Sequence, residues 1–551
     1  MADTRIDVPV VSVDGRELAP QLHSALLQLR VEESIQLPDR FTLHFDDPHF
    51  ELFDGGRFTV GAKVEIGMQV SGEPVVITSG EVLALTVEQG ITGRHELVIT
   101  GYDLTHRLAR RTSRRTFQAM TDADIASQIA SEHSLRGRVN LRSGGVRNDY
   151  VLQANETDLA FLTRLAARNG ADVWVTEDTL HVEPRDDSGG RTVTLTWGAD
   201  LASFSVRLSA SQTVDEVVVQ AWDALRSEEI VAQSTNARPP GQAARDIAGQ
   251  AKQAFGSTSR TSTWVEVPDS GVATTVAEAM HTRALAETVV LRGETAGNPW
   301  LAAGATVTLA GVGQRLADDY RVTSVTHLYG AGSPFRTKFV CGGLEPSGFA
   351  DLVGGRTSAA SVLKPAPTNG LMIGVVTDTA DPEGLGRVRV KLPSLEAQAE
   401  SNWARVVLAG AGPETGLGWI PEINDEVVVA FELGDTTRPL VLGGMWSQTK
   451  KPPADIVAQG EETKRRGMAT AGANLIVLDD QESMITISVG GTSTSLQLAA
   501  SSVWEGQQDV EIKAANVTIS ADQNLKLSAG GRVEISAGAD VSVSGTPINL
   551  N

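Results

Sequence analysis

Near the end of the chain one apolar-polar-apolar triplet returns every eight residues: Val517-Thr-Ile519, Leu525-Lys-Leu527, Val533-Glu-Ile535 and Val541-Ser-Val543. In each triplet the two apolar residues stand two apart, so on an extended chain they share one face. Small turn residues such as Ser528-Ala-Gly530 separate the triplets and allow the chain to corner tightly. A repeat this short and regular predicts a stacked β-structure rather than a globular sheet.

Strands of three residues bury too little apolar surface to be stable within one chain. Full burial of each apolar side chain is worth ~1.5–3 kcal/mol, and that gain requires a covering surface. We therefore predict an intertwined trimeric β-helix, a three-sided β-prism that forms a needle. The alternative, a single-chain left-handed β-helix, usually shows a six-residue repeat. The predicted needle core is Val517, Ile519, Leu525, Leu527, Val533, Ile535, Val541 and Val543.

The composition limits the number of domains, the classes of binding partner and the covalent cross-links that the chain can have. The 551 residues have room for three or four domains. A net charge of −21 argues against general binding of nucleic acids or anionic membranes. The single cysteine, Cys341, excludes an intrachain disulfide framework. Neither an apolar signal-peptide core nor a stretch of eighteen apolar residues is visible, so we expect cytoplasmic synthesis and assembly, with export or release by an unconventional route.

Patterning along the chain predicts a mainly β protein with seven segments. Alternating apolar residues predict a first β-barrel over residues 1–110 and a second one, with a helical excursion near 243–255 and 275–291, over 191–345. Between them, 111–190 predicts an α/β insertion, with one helix capped at Thr121 and another running from Asp158 to Asn169. A linker (346–369), an OB-fold barrel (370–446), a second linker (447–471) and the trimeric β-helix spike (472–551) follow.

Five short strands within about 75 residues predict the small closed barrel, and the same segment carries a recognisable motif. It begins at Gly374-Val-Val-Thr-Asp378 and ends at Arg438-Pro-Leu-Val-Leu-Gly443. The stretch resembles the spike-base barrel of VgrG proteins and phage baseplate spikes. The motif residues are Gly386, Arg387, Val388, Trp403, Arg405, Pro421, Asp425, Glu426, Gly434, Asp435, Pro439 and Gly443.

Two upstream stretches are similar to the hub of the same family: residues 150–161, beginning Tyr150-Val-Leu-Gln153, and the segment from Gly297 to His327. The resemblance implies a structural homotrimer at the tip of a contractile injection system, whose paired hub barrels form a pseudo-six-fold ring on a hexameric tube. The needle would puncture the target envelope. The implied partners are the tube protein, baseplate components, a small capping protein at the C-terminal tip and effector cargo, with no nucleic acid and only transient contact with a membrane.

The resemblance leaves open whether the system is a type VI secretion system or a phage-tail-like particle, and which cell is the target. A phage-type lysozyme between barrel and needle does not fit into the second linker. The sequence itself predicts no catalytic residue, cofactor or metal site, because the nine histidines lie in no ligand motif. A three-fold axis could still bring three copies of one residue together, so an ion on that axis stays open.

An alternative function is an enzyme or carbohydrate-binding β-solenoid that acts on cell-envelope polymers. It requires paired carboxylates or a row of exposed aromatic residues. The outward positions of the repeats are instead Thr518, Lys526, Glu534 and Ser542. We therefore predict a protein that is not an enzyme.

One basic run stands out in this acidic chain: Arg107, Arg110, Arg111, Arg114 and Arg115. It is a candidate contact for an acidic tube protein or cargo. The alternative is a solvated loop that joins the first barrel to the α/β insertion.

Overall fold

The computed structural model describes residues 6–35, 37–70, 73–89, 95–141, 147–184, 191–211, 213–223, 226, 228–263, 267, 269–331, 333–343, 370–393, 400–454, 456–457, 464–490, 494–498, 502–506 and 531. The chain forms two compact units, Met1–Gly444 and Met445–Asn551. No helix in the described ranges combines the length and the apolar character needed to cross a membrane.

The first barrel is an antiparallel sheet whose neighbouring strands follow the order β3-β4-β7-β6-β5-β1-β2. Alternate residues of β3 and β4 point inward, and Leu29, Val31, Phe41 and Leu43 are almost completely buried. Its elements are β1 (Ile6–Val13), β2 (Arg16–Glu17), α1 (Pro20–Ala25), β3 (Leu26–Ser34), β4 (Arg40–Asp46), α2 (Glu51–Asp54), β5 (Lys63–Val70), β6 (Glu73–Gln89), β7 (His95–Tyr102) and α3 (Thr105–Leu108).

The α/β insertion contains two helices packed against short strands. Thr121 and Asp124 make a reciprocal capping box at the start of its first helix, and Ile125 and Ile129 are fully buried one turn apart. The second helix is capped by Thr157. The elements are β8 (Thr112–Thr121), α4 (Asp122–Glu132), β9 (Arg136–Val139), β10 (Arg147–Thr157), α5 (Asp158–Arg168), β11 (Ala171–Thr176) and β12 (Thr179–Pro184).

The second barrel continues the sheet of the first. Its strand β20 pairs antiparallel with β3, so the two barrels share one sheet of 13 strands. The strands are β13 (Thr192–Thr196), β14 (Leu201–Leu208), β18 (Val289–Thr295), β19 (Thr306–Ala310), β20 (Asp319–Gly330) and β21 (Ser333–Gly342). Only tertiary pairing reveals this continuity, because β3 and β20 lie almost 300 residues apart in the chain.

The helical excursion is larger than its two helices, because it includes a sheet of its own with the order β16-β15-β17. Helix α7 begins before residue 275 because Asp269 caps it by accepting from the Val272 N–H, and the predicted end at 291 lies in β18. The elements are β15 (Glu216–Asp223), β16 (Glu228–Ser234), α6 (Gln242–Phe255), β17 (Ser259–Ser262) and α7 (Ser270–Ala286).

The OB-fold segment is a five-stranded sheet of order β23-β22-β27-β28-β24, closed by an antiparallel bridge between Val388 and Ala404. Val376, Val427, Val429 and Val441 fill its interior. The elements are β22 (Met372–Asp378), β23 (Arg389–Lys391), β24 (Arg405–Val406), β25 (Ala411–Gly412), β26 (Thr415–Gly416), β27 (Glu426–Phe431), a 3-10 turn (Glu432–Gly434) and β28 (Pro439–Gly444).

The second unit contains an antiparallel meander of five strands: β29 (Arg465–Ala469), β30 (Leu475–Asp479), β31 (Met484–Ser488), β32 (Thr494–Leu498) and β33 (Ser502–Gly506). Strand β29 begins inside the stretch predicted as the second linker, because it pairs with β30 and Arg465 donates to Asp479 at 2.7 Å. The predicted needle core, Val517, Ile519, Leu525, Leu527, Val533, Ile535, Val541 and Val543, lies outside the described residues.

Candidate functional site

The motif of the OB barrel builds one charged loop at the end of the barrel. The carboxylate of Asp381 accepts hydrogen bonds from the backbone N–H groups of Glu383, Leu385 and Arg387 at 2.9–3.1 Å. It also accepts from the Arg387 guanidinium, with Nη2 at 2.6 Å from Oδ1. The hydrogen bond from Arg387 and those from the backbone hold the pKa of Asp381 well below its usual range. The carboxylate therefore stays ionised, and its hydrogen bonds fix the conformation of the loop.

The same loop explains why Gly386 and Trp403 belong to the motif. Gly386 has a φ of +71°, and a Cβ there would meet Ile420 at 3.2 Å, so only glycine fits without strain. The guanidinium of Arg387 lies 5.9 Å from the ring centroid of Trp403, and that of Arg389 lies 4.9 Å away on the same ring. The motif fixes a loop that presents apolar side chains.

The remaining motif residues build turns and strand ends. Asp425 accepts from the Glu422 N–H at 2.9 Å, directly before Glu426 opens β27. Asp435 accepts from the N–H and hydroxyl of Thr437, and Gly434 precedes it with a φ of +82°. Pro421 precedes the first of these turns, Val388 makes the closing bridge, Arg405 lies in β24, and Pro439 and Gly443 lie in β28. These positions support the shape of the barrel rather than a reaction.

The outer surface of the OB barrel is unusually apolar. Ile373 on β22 lies opposite Val428 on β27, and both side chains face away from the barrel interior. Trp419 is 48% exposed and Leu433 is 62% exposed. Among the described residues from 370 to 444, ten large apolar side chains are exposed: Leu371, Ile373, Leu385, Val407, Leu417, Trp419, Ile420, Ile423, Leu433 and Leu442. Exposed apolar side chains that form a contiguous patch mark an interaction surface.

The inner face of the same barrel receives side chains from the hub. Tyr150 and Leu152 of β10 pack into the barrel core and are only 7% and 4% exposed. The alternate residue Val151 points the other way, into the core of the α/β insertion, together with Phe117. The sequence predicts that Tyr150 lies in a hub segment, but no local pattern indicates that a strand has two different cores on its two faces.

The five arginines of the basic run divide into two groups. Arg107 donates to the carboxylate of Glu81, and Arg115 donates to Gln153, Glu132 and Asp158, the last at 2.7 Å. These two side chains are therefore engaged within the chain. Arg110, Arg111 and Arg114 are exposed, and the contact of the basic run with a tube protein or cargo stays a prediction.

The network around Arg115 buries a carboxylate that sequence reasoning missed. Asp158 is fully buried and accepts from Gln153 at 2.8 Å and from His133 Nε2 at 2.8 Å. Burial raises the pKa of Asp158, but these hydrogen bonds and the charge of Arg115 lower it by more than burial raises it. The net shift of the pKa is therefore downward. The group holds β8 and β10 to helices α4 and α5. Within the described ranges, no cluster of three or more His, Cys, Asp or Glu side chains is placed to hold a metal ion.

Two family models match the chain. Residues 10–330 match the model described as the Alg8 N-terminal domain, which is more than half of the chain. Residues 372–446 match the model described as the type VI secretion system/phage-baseplate injector OB domain.

Several curated proteins are similar to this chain. The actin cross-linking toxin VgrG1 of Vibrio cholerae is 24% identical over 469 residues, which cover 77% of this chain and 40% of the toxin. The type VI secretion system spike protein VgrG1a of Pseudomonas aeruginosa is 28% identical over 163 residues, covering 28% of this chain and 24% of the relative. The chain thus spans less than half the length of both relatives.

The fold is also similar to a solved structure. The Francisella PdpA-VgrG complex, half-lidded, aligns with 93% of this chain and 89% of its own at a TM-score of 0.53 and 7% identity. At that identity the likeness concerns the fold alone, and it extends through the hub and the OB barrel.

Proposed function

Because this chain belongs to the Alg8 N-terminal domain family and carries an injector OB domain, we propose that it is the structural spike of a contractile injection system. It acts as a homotrimer. The hub adapts a hexameric tube to a three-fold needle, and the needle punctures the target envelope when the sheath contracts.

The apolar outer surface of the OB barrel is the observation that carries this proposal. The barrel already has a complete interior, in which Val376, Val427 and Val441 are fully buried. The ten exposed apolar side chains lie outside this interior. They become buried if three barrels meet around an axis, with Ile373 and Trp419 at the contacts.

The partners follow from the position of a spike in such a machine. The hub contacts the tube protein and baseplate components, and Arg110, Arg111 and Arg114 are the exposed basic side chains suited to an acidic partner. A small capping protein at the C-terminal end, and effector cargo, complete the assembly. A VgrG from Francisella has been solved in complex with PdpA, which supports the general idea of a bound partner.

The role of the protein is mechanical rather than catalytic, and it leaves the producing cell as part of the particle after assembly in the cytoplasm. The cross-linking activity in the name of the Vibrio cholerae relative belongs to that protein, of which this chain matches 40%.

Light scattering of the purified chain, together with variants of the OB surface, tests the proposal. We expect a trimer for the wild type. The double variant Ile373→Asp, Trp419→Asp should dissociate at micromolar concentration, because each unpaired carboxylate buried at a contact costs on the order of several kcal/mol. Val60→Asp is the matched control, since Val60 is 70% exposed on the first barrel. A monomeric wild type, or a double variant that remains as trimeric as the control, would contradict the proposal.

A further inference from the structure

A short turn between β4 and β5 of the first barrel presents two aromatic side chains to solvent. Phe50 is 37% exposed and Phe53 is 45% exposed, and neither belongs to the buried core of that barrel. Residues 47–54, which include helix α2, are called the aromatic turn below. Two exposed phenylalanines this close together are a candidate contact for another molecule.

The buried carboxylate of Asp47 fixes the backbone of the aromatic turn. Asp47 is only 4% exposed, and its two carboxylate oxygens accept the N–H groups of Leu52 at 3.1 Å and of Phe53 at 3.0 Å. The N–H of Asp47 donates to the carbonyl of His95 on β7 at 3.0 Å. These hydrogen bonds attach the turn to the barrel, so the position of Phe53 is defined before any partner binds.

Phe50 has a backbone conformation that is unfavourable for a bulky residue. Its φ is +59°, in the left-handed region, where a Cβ crowds the backbone. Its ring stacks on the ring of His95 with a centroid distance of 4.6 Å, and His95 Nδ1 lies 3.1 Å from the carbonyl oxygen of Pro48. A glycine would adopt this φ without strain. Backbone strain kept at an exposed aromatic residue points to a role outside the folding of the barrel.

The charges around the two rings indicate the chemistry of the partner. Glu51 and Asp54 on α2 are exposed, and Arg57, the one arginine between β4 and β5, donates to the carbonyl of Glu17 at 3.3 Å. Acidic side chains are repelled by an anionic membrane surface. They attract the Lys and Arg side chains of a protein instead.

The second barrel has no comparable pair of exposed aromatic side chains at the connection between β18 and β19. This connection, 296–305, is shorter than the one between β4 and β5. Its aromatic residue Trp300 is only partly exposed, and the guanidinium of Arg191 lies 5.2 Å from the ring centroid. A molecule that binds the aromatic turn therefore binds one barrel of each chain.

We propose that the aromatic turn is a docking site for a protein that receives Phe50 and Phe53 in an apolar pocket whose rim carries Lys or Arg side chains. Each chain binds one copy of this partner. Because the turn is already ordered in the free chain, little conformational entropy is lost on association. The docking site does not depend on the proposed trimer, since every contact that orders the turn lies within one chain.

Photo-crosslinking from the turn tests this proposal. The chain carries p-benzoylphenylalanine in place of Phe53, is expressed in the cells that produce the protein and is irradiated there. Mass spectrometry should find an adduct between position 53 and a peptide of one other protein, in which Lys or Arg flanks apolar residues. The matched control carries the same amino acid in place of Val76, which is 49% exposed on β6 and pairs with Gly67, ~13 Å along β5 from Lys63. The control should not give this adduct.

Three results at position 53 would overturn the proposal. These are no adduct beyond that of the control, an adduct with a lipid, and an adduct with a second copy of this chain.

Two variants of the cross-linking chain separate docking from folding. Glu51→Lys, Asp54→Lys keeps both aromatic positions but reverses the charge of the rim, and it should abolish the adduct. Phe50→Gly relieves the left-handed strain, so its Tm should equal or exceed that of the parent chain. Its adduct yield should nevertheless fall on the order of tenfold, because the loss of an aromatic anchor weakens binding by at least that factor. An unchanged adduct yield in either variant, or a clearly lower Tm for Phe50→Gly, would contradict the docking site.

Discussion

Single carboxylates stabilise this protein in opposite pH ranges. The pKa of Asp381 is lowered by Arg387, so its contribution to stability is present above the pKa of the unfolded chain and is lost as the pH falls. Asp103 behaves in the opposite way. Burial raises its pKa to about 7, against hydrogen bonds from Thr105 that lower it, and Glu33 adds a nearby negative charge. Burial and the charges of Glu33 and Asp103 likewise raise the pKa of Asp39.

The raised pKa of Asp103 predicts a pH dependence of stability. Its folded-state pKa of about 7 lies above the unfolded value of ~3.9, so its contribution is fully present below about pH 4 and is lost as the pH rises toward 7. The expected loss is about 1.4 kcal/mol per pH unit in this window. The free energy of unfolding of the wild type, measured by urea titration from pH 4 to 8, should fall with this slope. In the variant Asp103→Asn it should fall less steeply. Equal slopes for both proteins would refute the assignment.

At the scale of elements, β10 connects the hub to the OB barrel. Its pairing with β8 runs from Arg147 to Thr157, and its two faces fill two cores. The network of Arg115, Asp158 and Gln153 fastens the same ribbon to the helices of the insertion. The side chains of β10 therefore link the core of the α/β insertion to the core of the OB barrel.

Truncation of either face of β10 should loosen a different domain. Leu152→Ala should destabilise the OB barrel by about 2–5 kcal/mol, because it leaves a cavity in a packed core. Val151→Ala is the matched control, since its side chain fills the α/β insertion. In hydrogen exchange measured by mass spectrometry, we expect Leu152→Ala to speed up exchange in residues 372–442 of the OB barrel. We expect Val151→Ala to speed up exchange in residues 158–175 of the α/β insertion. The same exchange pattern in both variants would contradict the assignment of the two faces.

For the whole molecule, the OB barrel and the predicted needle share one physical feature. Both have apolar side chains that a single chain leaves uncovered, and copies of the chain would cover them in the proposed trimer. In the OB barrel these are exposed side chains such as Trp419, and in the predicted needle they are the apolar residues of each triplet. Folding of the needle and association of the chains are then a single event, which predicts resistance to heat and detergent.

Charge in the needle core should abolish that resistance. Val533→Asp, Ile535→Asp places unpaired carboxylates in the predicted dry core, so the trimer band on an unheated detergent gel should disappear. Glu534→Lys is the matched control, because the same triplet directs residue 534 outward. A resistant trimer in the double variant would refute the packing of the repeats.

Local sequence patterns determined much of this protein. Alternation located the strands that build the barrels, the Thr121 and Thr157 caps located both helices of the insertion, and the spacing from Gly386 to Gly443 identified the OB barrel. These features depend on neighbours within a few residues, so the sequence displays them directly. The loop of Asp381 also follows from its own seven residues.

Tertiary structure decided which elements meet. The pairing of β3 with β20, the departure of β15 to β17 into a separate sheet, and the insertion of Tyr150 and Leu152 into the OB core join distant segments. An alternating strand shows that it has an apolar face but not which surface covers that face. Coverage depends on the shapes and edges of the assembled domains, and these exist only once the chain has folded.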